Sequence, residues 1–146
     1  MLTLDDLGVI RSVDVDGDAV TVTITPTYSG CPAIEEMRAD VRTTLARAGF
    51  GRVEVRTVFS PPWSTDWISD DGRHKLAEAG IAPPGRVGAA PTGPIPLTLV
   101  APPSAVRCPQ CGASSTEELS RFGPTACTAL RRCPSCREPF EHMKEI

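Results

Sequence analysis

Four cysteines near the C-terminal end form two matching pairs. Cys108-Pro109-Gln110-Cys111 and Cys133-Pro134-Ser135-Cys136 share the pattern Cys-Pro-x-Cys. Two residues between thiolates let a tight turn point both sulfurs at one ion, and two such turns supply the tetrahedral four-sulfur set that zinc favours. The stretch between the pairs is slightly longer than the usual zinc-ribbon spacing. The pattern therefore predicts a metal site at Cys108, Cys111, Cys133 and Cys136.

Such a site is expected to be structural. Four protein ligands leave no open coordination position for a substrate. About 40 residues with few large apolar side chains cannot bury an adequate core alone, so metal binding is expected to supply much of the folding free energy. Two alternatives stay open from the residues alone. A single iron also suits four thiolates, and the same cysteines could form two disulfides or be unrelated thiols.

Cys127 is a fifth thiol in the same region. Using Cys127 in place of Cys133 would break the symmetry of the two Cys-x-x-Cys pairs. Cys127 is therefore interpreted either as a small buried hydrophobe or as an extra, solvent-facing thiol for a second metal.

Cys31 precedes a proline at the start of a predicted helix. Unpaired backbone N–H groups and the positive end of a helix dipole favour a thiolate there. Thr27 and Ser29 could donate hydrogen bonds to such a thiolate or to a metal-bound sulfur. A structural thiol is the competing interpretation. Neither histidine of the chain lies near Cys31 in sequence, so nothing specific supports a Cys–His hydrolase.

The elements that must position these thiols begin with a hairpin. Apolar residues alternate on both sides of Asp16-Gly17, a favoured hairpin turn. An apolar stripe at three- and four-residue steps then predicts a helix, and a third alternating run predicts another strand. This order indicates a small α+β domain with its helix on one sheet face. The predicted strands cover residues 9–15, 19–25 and 53–59, and the predicted helices cover residues 33–48 and 71–79.

Three segments are expected along the chain. Residues 1–81 form the α+β domain, residues 82–104 form a linker rich in proline and glycine with one short strand at Leu97–Val100, and residues 105–146 form the zinc ribbon. The ribbon strands are expected at residues 116–122, 127–132 and 139–143.

Composition excludes several classes of protein. With 15 Lys and Arg against 18 Asp and Glu, the net charge is −3, so the chain has no basic excess with which to bind nucleic acid. Its apolar runs are far shorter than the roughly 20 residues that span a membrane. The N-terminal residues lack a signal-peptide pattern, which favours a cytoplasmic protein. In a reducing compartment, cysteines are metal ligands or reactive thiols more often than disulfides.

Several motifs together resemble a known family. Thr27–Pro32, placed after a hairpin and before a helix, resembles the iron–sulfur assembly domain family, which includes SufT-like proteins. Pro61–Ser69, Gly80–Pro84 and the run from Phe122 through Phe140 are similar to the PaaD-like subunit that accompanies the bacterial phenylacetyl-CoA epoxidase. This resemblance extends over nearly the whole chain.

The resemblance implies an accessory role in aerobic phenylacetate degradation. A protein of this family is expected to help mature the epoxidase system, through assembly or delivery of the iron–sulfur cluster of its reductase component, and not to be an enzyme itself. Cys31 then matches the cluster-associated cysteine with Thr27 in support, and Cys108, Cys111, Cys133 and Cys136 match the zinc ligands. The implied cofactors are structural zinc and a transient cluster. The implied partners are the epoxidase and reductase components.

One cysteine per chain cannot complete a cluster, because clusters usually take four protein ligands. A homodimer, Cys127 or a partner would have to supply the others. Two other functions stay open. The chain could be a zinc-stapled docking scaffold in the oxygenase complex, with Trp63 and Trp67 at the interface unless they pack on the sheet, or a thiol enzyme that uses Cys31.

Overall fold

The computed structural model describes residues 1–88 and 105–146 and shows an α+β fold, which confirms the predicted fold class. The described residues form two compact units. The first contains residues 1–72 together with Ile146, and the second contains the described part of residues 73–145. The predicted strand Leu97–Val100 and most of the predicted linker lie outside the described residues.

The first unit is built on a three-stranded sheet. Strand β1 (Ile10–Asp16) pairs antiparallel with β2 (Ala19–Ile24), as the predicted hairpin requires. Helix α1 (Ile34–Arg47) follows, and β3 (Arg52–Thr57) then pairs parallel with β2, which gives the strand order β1-β2-β3. The helix thus makes the crossover that two neighbouring parallel strands need.

The alternation in β2 buries one face of the sheet. Its inward residues are 2 % exposed or less, whereas Thr21 and Thr23 on the opposite face are half-buried. The apolar stripe of α1 packs against this face, and each large aliphatic side chain that is fully buried contributes about 1.5–3 kcal/mol. The buried core residues are Val9, Val20, Val22, Ile24 and Val55, and the packed stripe is Ile34, Met37, Val41 and Leu45.

Helix α1 starts later than the sequence predicts. Ala33 is its N-cap, without a side-chain capping bond, so the proline before it lies outside the helix and Cys31 lies two residues before the cap. The reason is a turn in which the Cys31 N–H donates to the Tyr28 carbonyl at 3.3 Å, while the Ile34 N–H donates to the Cys31 carbonyl at 3.2 Å. Cys31 therefore belongs to this turn and not to the helix cap.

Both tryptophans make contacts within the first unit. Trp63 is 4 % exposed, and its indole N–H donates to the Leu7 carbonyl at 3.0 Å. Trp67 lies in a 3-10 turn, Thr65–Trp67, and its ring is covered by the Arg11 guanidinium at 3.9 Å from the ring centroid. The interpretation of Trp63 as a packing residue agrees with this burial.

The second unit begins inside helix α2 (Asp70–Glu78) and contains a four-stranded sheet. Its strands are β4 (Ile81–Ala82), β5 (Glu117–Ser120), β6 (Thr128–Arg132) and β7 (Pro139–Met143), in the order β4-β7-β6-β5. Strand β4 runs parallel to β7, and the other neighbours are antiparallel. The pairing of β4 with β7 places Ile81 and Ala82 in the sheet of the second unit.

The core of the second unit is small. Its main hydrophobic cluster has five buried residues, and two of them are cysteines: Ala82, Val106, Cys108, Cys133 and Phe140. Arg131, only 6 % exposed, donates from Nε to the Thr116 hydroxyl at 3.1 Å and from Nη2 to the Thr116 carbonyl at 3.2 Å. Among the described residues, no helix has the length and apolar character needed to cross a membrane.

Candidate metal centre and Cys31 cavity

The two Cys-Pro-x-Cys turns have the same backbone geometry. In the first, the Cys108 N–H donates to the Ala113 carbonyl and the Cys108 carbonyl accepts from Gly112, both at 2.9 Å. In the second, Cys133 makes the equivalent bonds with Glu138 at 3.0 Å and Arg137 at 2.8 Å.

Gly112 and Arg137 occupy matching positions, and both have a positive φ, 75° and 65°. For an arginine this conformation costs roughly 1–2 kcal/mol. The surrounding turn nonetheless holds Arg137 in this positive-φ conformation. The second turn therefore has the same backbone shape as the first, although it has no glycine at this position.

The four predicted ligands lie together. Their sulfur atoms are all within 4.8 Å of one another, with the Cys108 and Cys136 sulfurs 3.7 Å apart and the Cys111 and Cys133 sulfurs 3.5 Å apart. A tetrahedral zinc ion with Zn–S bonds of about 2.3 Å requires sulfurs about 3.8 Å apart. A disulfide would bring two sulfurs to about 2.05 Å, and all four cysteines are free. The arrangement therefore fits zinc and not a pair of disulfides.

The crowding of the four thiols shifts their acidities in opposite directions. Backbone N–H groups, first that of Cys136, together with the Cys111 thiol, lower the pKa of Cys133 to about 6 against the effect of burial. The Glu138 backbone N–H lowers the pKa of Cys136, but burial and the other three thiols outweigh it and raise that pKa to about 12. Crowded sulfurs cannot all ionise by themselves, whereas a divalent ion would hold all four as thiolates. Bound zinc would then act as a structural cross-link.

Cys127 stays apart from this group. Its sulfur lies 3.1 Å from the Thr125 hydroxyl, and its carbonyl accepts from the Lys144 N–H at 2.9 Å. Cys127 is partly exposed, and within the described residues it belongs to no cluster of metal-ligating side chains.

Cys31 lines a cavity of about 240 Å³ in the first unit. Its side chain is only 9 % exposed. Gly30, with φ of 88°, makes the sharp turn that brings Cys31 to the start of α1. The cavity is lined by Pro26, Gly30, Cys31, Ile34, Glu35, Arg38, Thr57 and Phe59.

Thr27, predicted to support Cys31, lines a neighbouring cavity instead. It is 8 % exposed, and its cavity of about 330 Å³ also includes Tyr28 and Trp63. Pro26 and Phe59 form part of both cavities, and Phe59 is 61 % exposed. The two predicted residues therefore lie on adjacent parts of one surface of the first unit.

Sequence reasoning missed Arg38 and Thr57, which line the Cys31 cavity. Both contribute a buried polar atom, Arg38 Nε and Thr57 Oγ1, that has no hydrogen-bond partner among the described residues. The sequence contained one indication that Arg38 lies near the buried face of the helix. Arg38 follows Ile34 by four residues and Met37 by one, so the helical period places a charge at the edge of the apolar stripe.

Fold and site together define a class of protein: an α+β domain with a cysteine in the turn before its helix, combined with a four-cysteine ribbon. The comparisons agree with this class. Residues 2–57 match the family model described as iron-sulfur cluster assembly protein. Residues 93–144 match the PaaD zinc beta ribbon domain.

Relatives extend the match to the whole chain. The chain is 42% identical over 146 residues, 100% of its length and 83% of the relative, to a protein of Escherichia coli K12 whose name describes it as part of a 1,2-phenylacetyl-CoA epoxidase. It is 38% identical over 73 residues, 49% of its length and 70% of the relative, to an Fe-S protein maturation auxiliary factor of Porphyromonas gingivalis W83. A crystal structure of a DUF59 domain from Bacillus anthracis matches at 29% identity and TM-score 0.48, over 50% of this chain and 72% of that one.

The chain belongs to the PaaD family, with an iron–sulfur assembly domain followed by a PaaD zinc ribbon. This membership confirms the resemblance inferred from the sequence.

Proposed function

We propose that this protein is an accessory subunit of the phenylacetyl-CoA epoxidase system of aerobic phenylacetate catabolism. It would assist assembly of an iron–sulfur cluster or its delivery to the reductase component. The observation that carries this proposal is a cysteine, Cys31, that lines a cavity of an iron–sulfur assembly domain. The chain that contains it is 42% identical, over its full length, to a protein named as part of such an epoxidase.

The cluster is cargo in this proposal. The Cys31 thiolate would bind one iron at the cavity that Cys31 lines. Iron–sulfur clusters are usually held by four protein ligands, so one thiolate leaves three positions for others. The recipient protein can provide them, and so can a second Cys31 in a homodimer. An incomplete ligand set suits transfer, since the recipient offers a more complete one.

The zinc ribbon serves this function indirectly. With four cysteine ligands it has no open position at the metal, so zinc would hold the second unit folded rather than react. The protein is then no enzyme in itself. It acts in the cytoplasm on the epoxidase and reductase components, without nucleic acid or membrane.

The test replaces Cys31 with serine. Cys31→Ser changes one atom in a small side chain, so we expect a folded protein with full zinc content and a stability loss of at most a few kcal/mol. We expect the reductase isolated from cells with this variant to lack most of its iron and sulfide, and growth on phenylacetate to be slow. Metal and sulfide analysis of the anaerobically purified reductase measures this directly.

Cys127→Ser is the matched control, because it also removes a thiol that lies outside the four-cysteine site. Reductase iron and growth should be normal with this control. Normal growth and a fully loaded reductase in the presence of Cys31→Ser would refute cluster delivery.

A docking scaffold without chemistry of its own is the second candidate. The exposed ring of Phe59, between two cavities of the first unit, favours it. Trp63 does not, since its side chain is buried. The same experiment separates the two functions, because a scaffold keeps its activity when Cys31 becomes serine.

A further inference from the structure

Two residues that line the Cys31 cavity have buried hydrogen-bond donors that lack acceptors. Arg38 Nε and the Thr57 hydroxyl are buried, and neither has a partner among the described residues. A buried donor left without an acceptor costs about 1–3 kcal/mol. Arg38 comes from α1 and Thr57 from the end of β3, and both residues line the same cavity. A ligand that accepts hydrogen bonds would remove both costs.

The cavity lining has one positive and one negative side chain, Arg38 and Glu35. Arg38 carries a permanent positive charge. Its nearest opposite charge is Glu35, whose Oε1 lies 3.6 Å from Nη1. The Glu35 side chain is 72% exposed, and such exposed pairs contribute at most about 1 kcal/mol. The Glu35 contact uses Nη1 and leaves Nε free. Arg38, which lines the cavity together with Cys31, thus has a buried Nε without an acceptor.

We propose that this cavity is an anion-binding subsite in which Arg38 and Thr57 donate hydrogen bonds to a small anion next to the Cys31 sulfur. The inference rests on the proposed function only for the identity of that anion. If the protein carries an iron–sulfur cluster, the sulfides of the cluster are the anionic groups that accept these hydrogen bonds. Hydrogen bonds to cluster sulfurs are one way in which proteins adjust such clusters. Arg38 is then a positioning residue for cargo that Cys31 binds.

Two alkylating reagents of similar size but different charge test this proposal. Iodoacetate is an anion and iodoacetamide is neutral, and both alkylate the same thiolate. The ratio of their rates at Cys31 therefore reports anion binding and not the reactivity of the thiol. The rates are measured on the full-length, zinc-loaded protein at low ionic strength, by mass spectrometry of the Cys31 and Cys127 peptides.

We expect the ratio at Cys31 to exceed the ratio at Cys127 by about tenfold, as a charge-assisted hydrogen bond would give. Arg38→Met should reduce the Cys31 ratio to that of Cys127, and Thr57→Val should reduce it by a smaller factor. Glu35→Gln should increase it, because this change removes the competing carboxylate. Arg42→Met is the matched control, since Arg42 lies exposed on the same helix and outside the cavity, and it should leave the ratio unchanged.

Equal ratios at Cys31 and Cys127 in the wild-type protein would overturn the proposal. Failure of both reagents to label Cys31 would overturn it as well, because a cavity open to a small anion must admit them. If Arg38→Met does not fold, the direction of change in Glu35→Gln decides the question. The ratio requires no partner protein, so a negative result here is distinct from a reductase that keeps its iron with Cys31→Ser.

Discussion

At the scale of single residues, His142 is a titratable group that the metal site does not use. It lies in β7 and is 3 % exposed, and its Nε2 has no hydrogen-bond partner in the described part of the chain. The Glu145 carboxylate is 3.8 Å from that nitrogen. Burial lowers the pKa of His142, Arg131 lowers it further, and Glu145 and Glu118 partly oppose this. The folded protein therefore favours the neutral imidazole.

This burial predicts a pH-dependent stability. In the unfolded chain a histidine binds a proton below about pH 6.5. The folded state binds it only at lower pH, so the stability is fully present above that pH and decreases as the pH falls below it. His142→Gln should therefore give a flatter profile of the urea midpoint between about pH 7.5 and 5, measured with excess zinc.

His74→Gln is the control for this prediction, since His74 is mostly exposed on α2, where it pairs with Glu78. Its profile should follow that of the wild-type protein. Because zinc loss in acid affects all three proteins, the difference between the two variants isolates His142. Identical slopes for both would show that His142 does not contribute.

The sequence allowed the metal ligands to be predicted, and it did not allow the lining of the Cys31 cavity to be predicted. The ligands follow from local spacing, since each Cys-x-x-Cys pair is one turn and the symmetry of the pairs selects Cys133 over Cys127. Arg38 and Thr57 are far apart in sequence, and they line the same cavity because α1 packs against the sheet. Their spacing has no period that one sequence reveals.

At the scale of elements, the long periodic strands and α1 were predictable and β4 was not. Alternation in β2 repeats over six residues, which is enough to separate it from a helix. Strand β4 has only two residues, Ile81 and Ala82, and is followed by two prolines. Its assignment comes from pairing with β7, a contact distant in sequence. The sequence therefore predicts that a linker starts at residue 82, although Ile81 and Ala82 form a strand of the ribbon sheet.

Strand β4 gives a prediction about the ribbon. Ala82 is 1 % exposed in the core that contains Cys108 and Cys133. Ala82→Asp would bury an unpaired carboxylate there, so we expect a loss of about 3 kcal/mol or more and easier release of zinc. Urea unfolding followed by a zinc-sensitive dye measures both effects. Ala79→Asp, at an exposed position, should change stability by no more than about 0.5 kcal/mol. Equal zinc retention in the two variants would contradict the contribution of β4 to the ribbon core.

At the scale of the whole molecule, the two units obtain their stability from different sources. The first has an aliphatic core made by two strands and covered by α1, as expected for a domain that folds by burying apolar surface. In the second unit, two of the five residues in the hydrophobic cluster are predicted metal ligands. Removing the metal from the second unit would leave crowded, partly ionised sulfurs in that core, because burial and the neighbouring thiols act against ionisation of Cys136.

Chelation of zinc should therefore unfold one unit and spare the other. Structural zinc sites of this kind contribute on the order of 10 kcal/mol to folding. A cluster of five buried residues with one large side chain, Phe140, cannot replace this contribution. After zinc is removed, we expect amides of β6 and β7 to lose their protection from hydrogen exchange, while those of β2 and α1 keep theirs. Hydrogen-exchange mass spectrometry with and without chelator measures both units in one sample. Cys127→Ser should respond as the wild-type protein does, because its sulfur is outside the ligand set. If β6 and β7 keep their protection after complete zinc loss, the ribbon folds through its apolar contacts alone. If β2 and α1 lose their protection, the first unit depends on the metal as well.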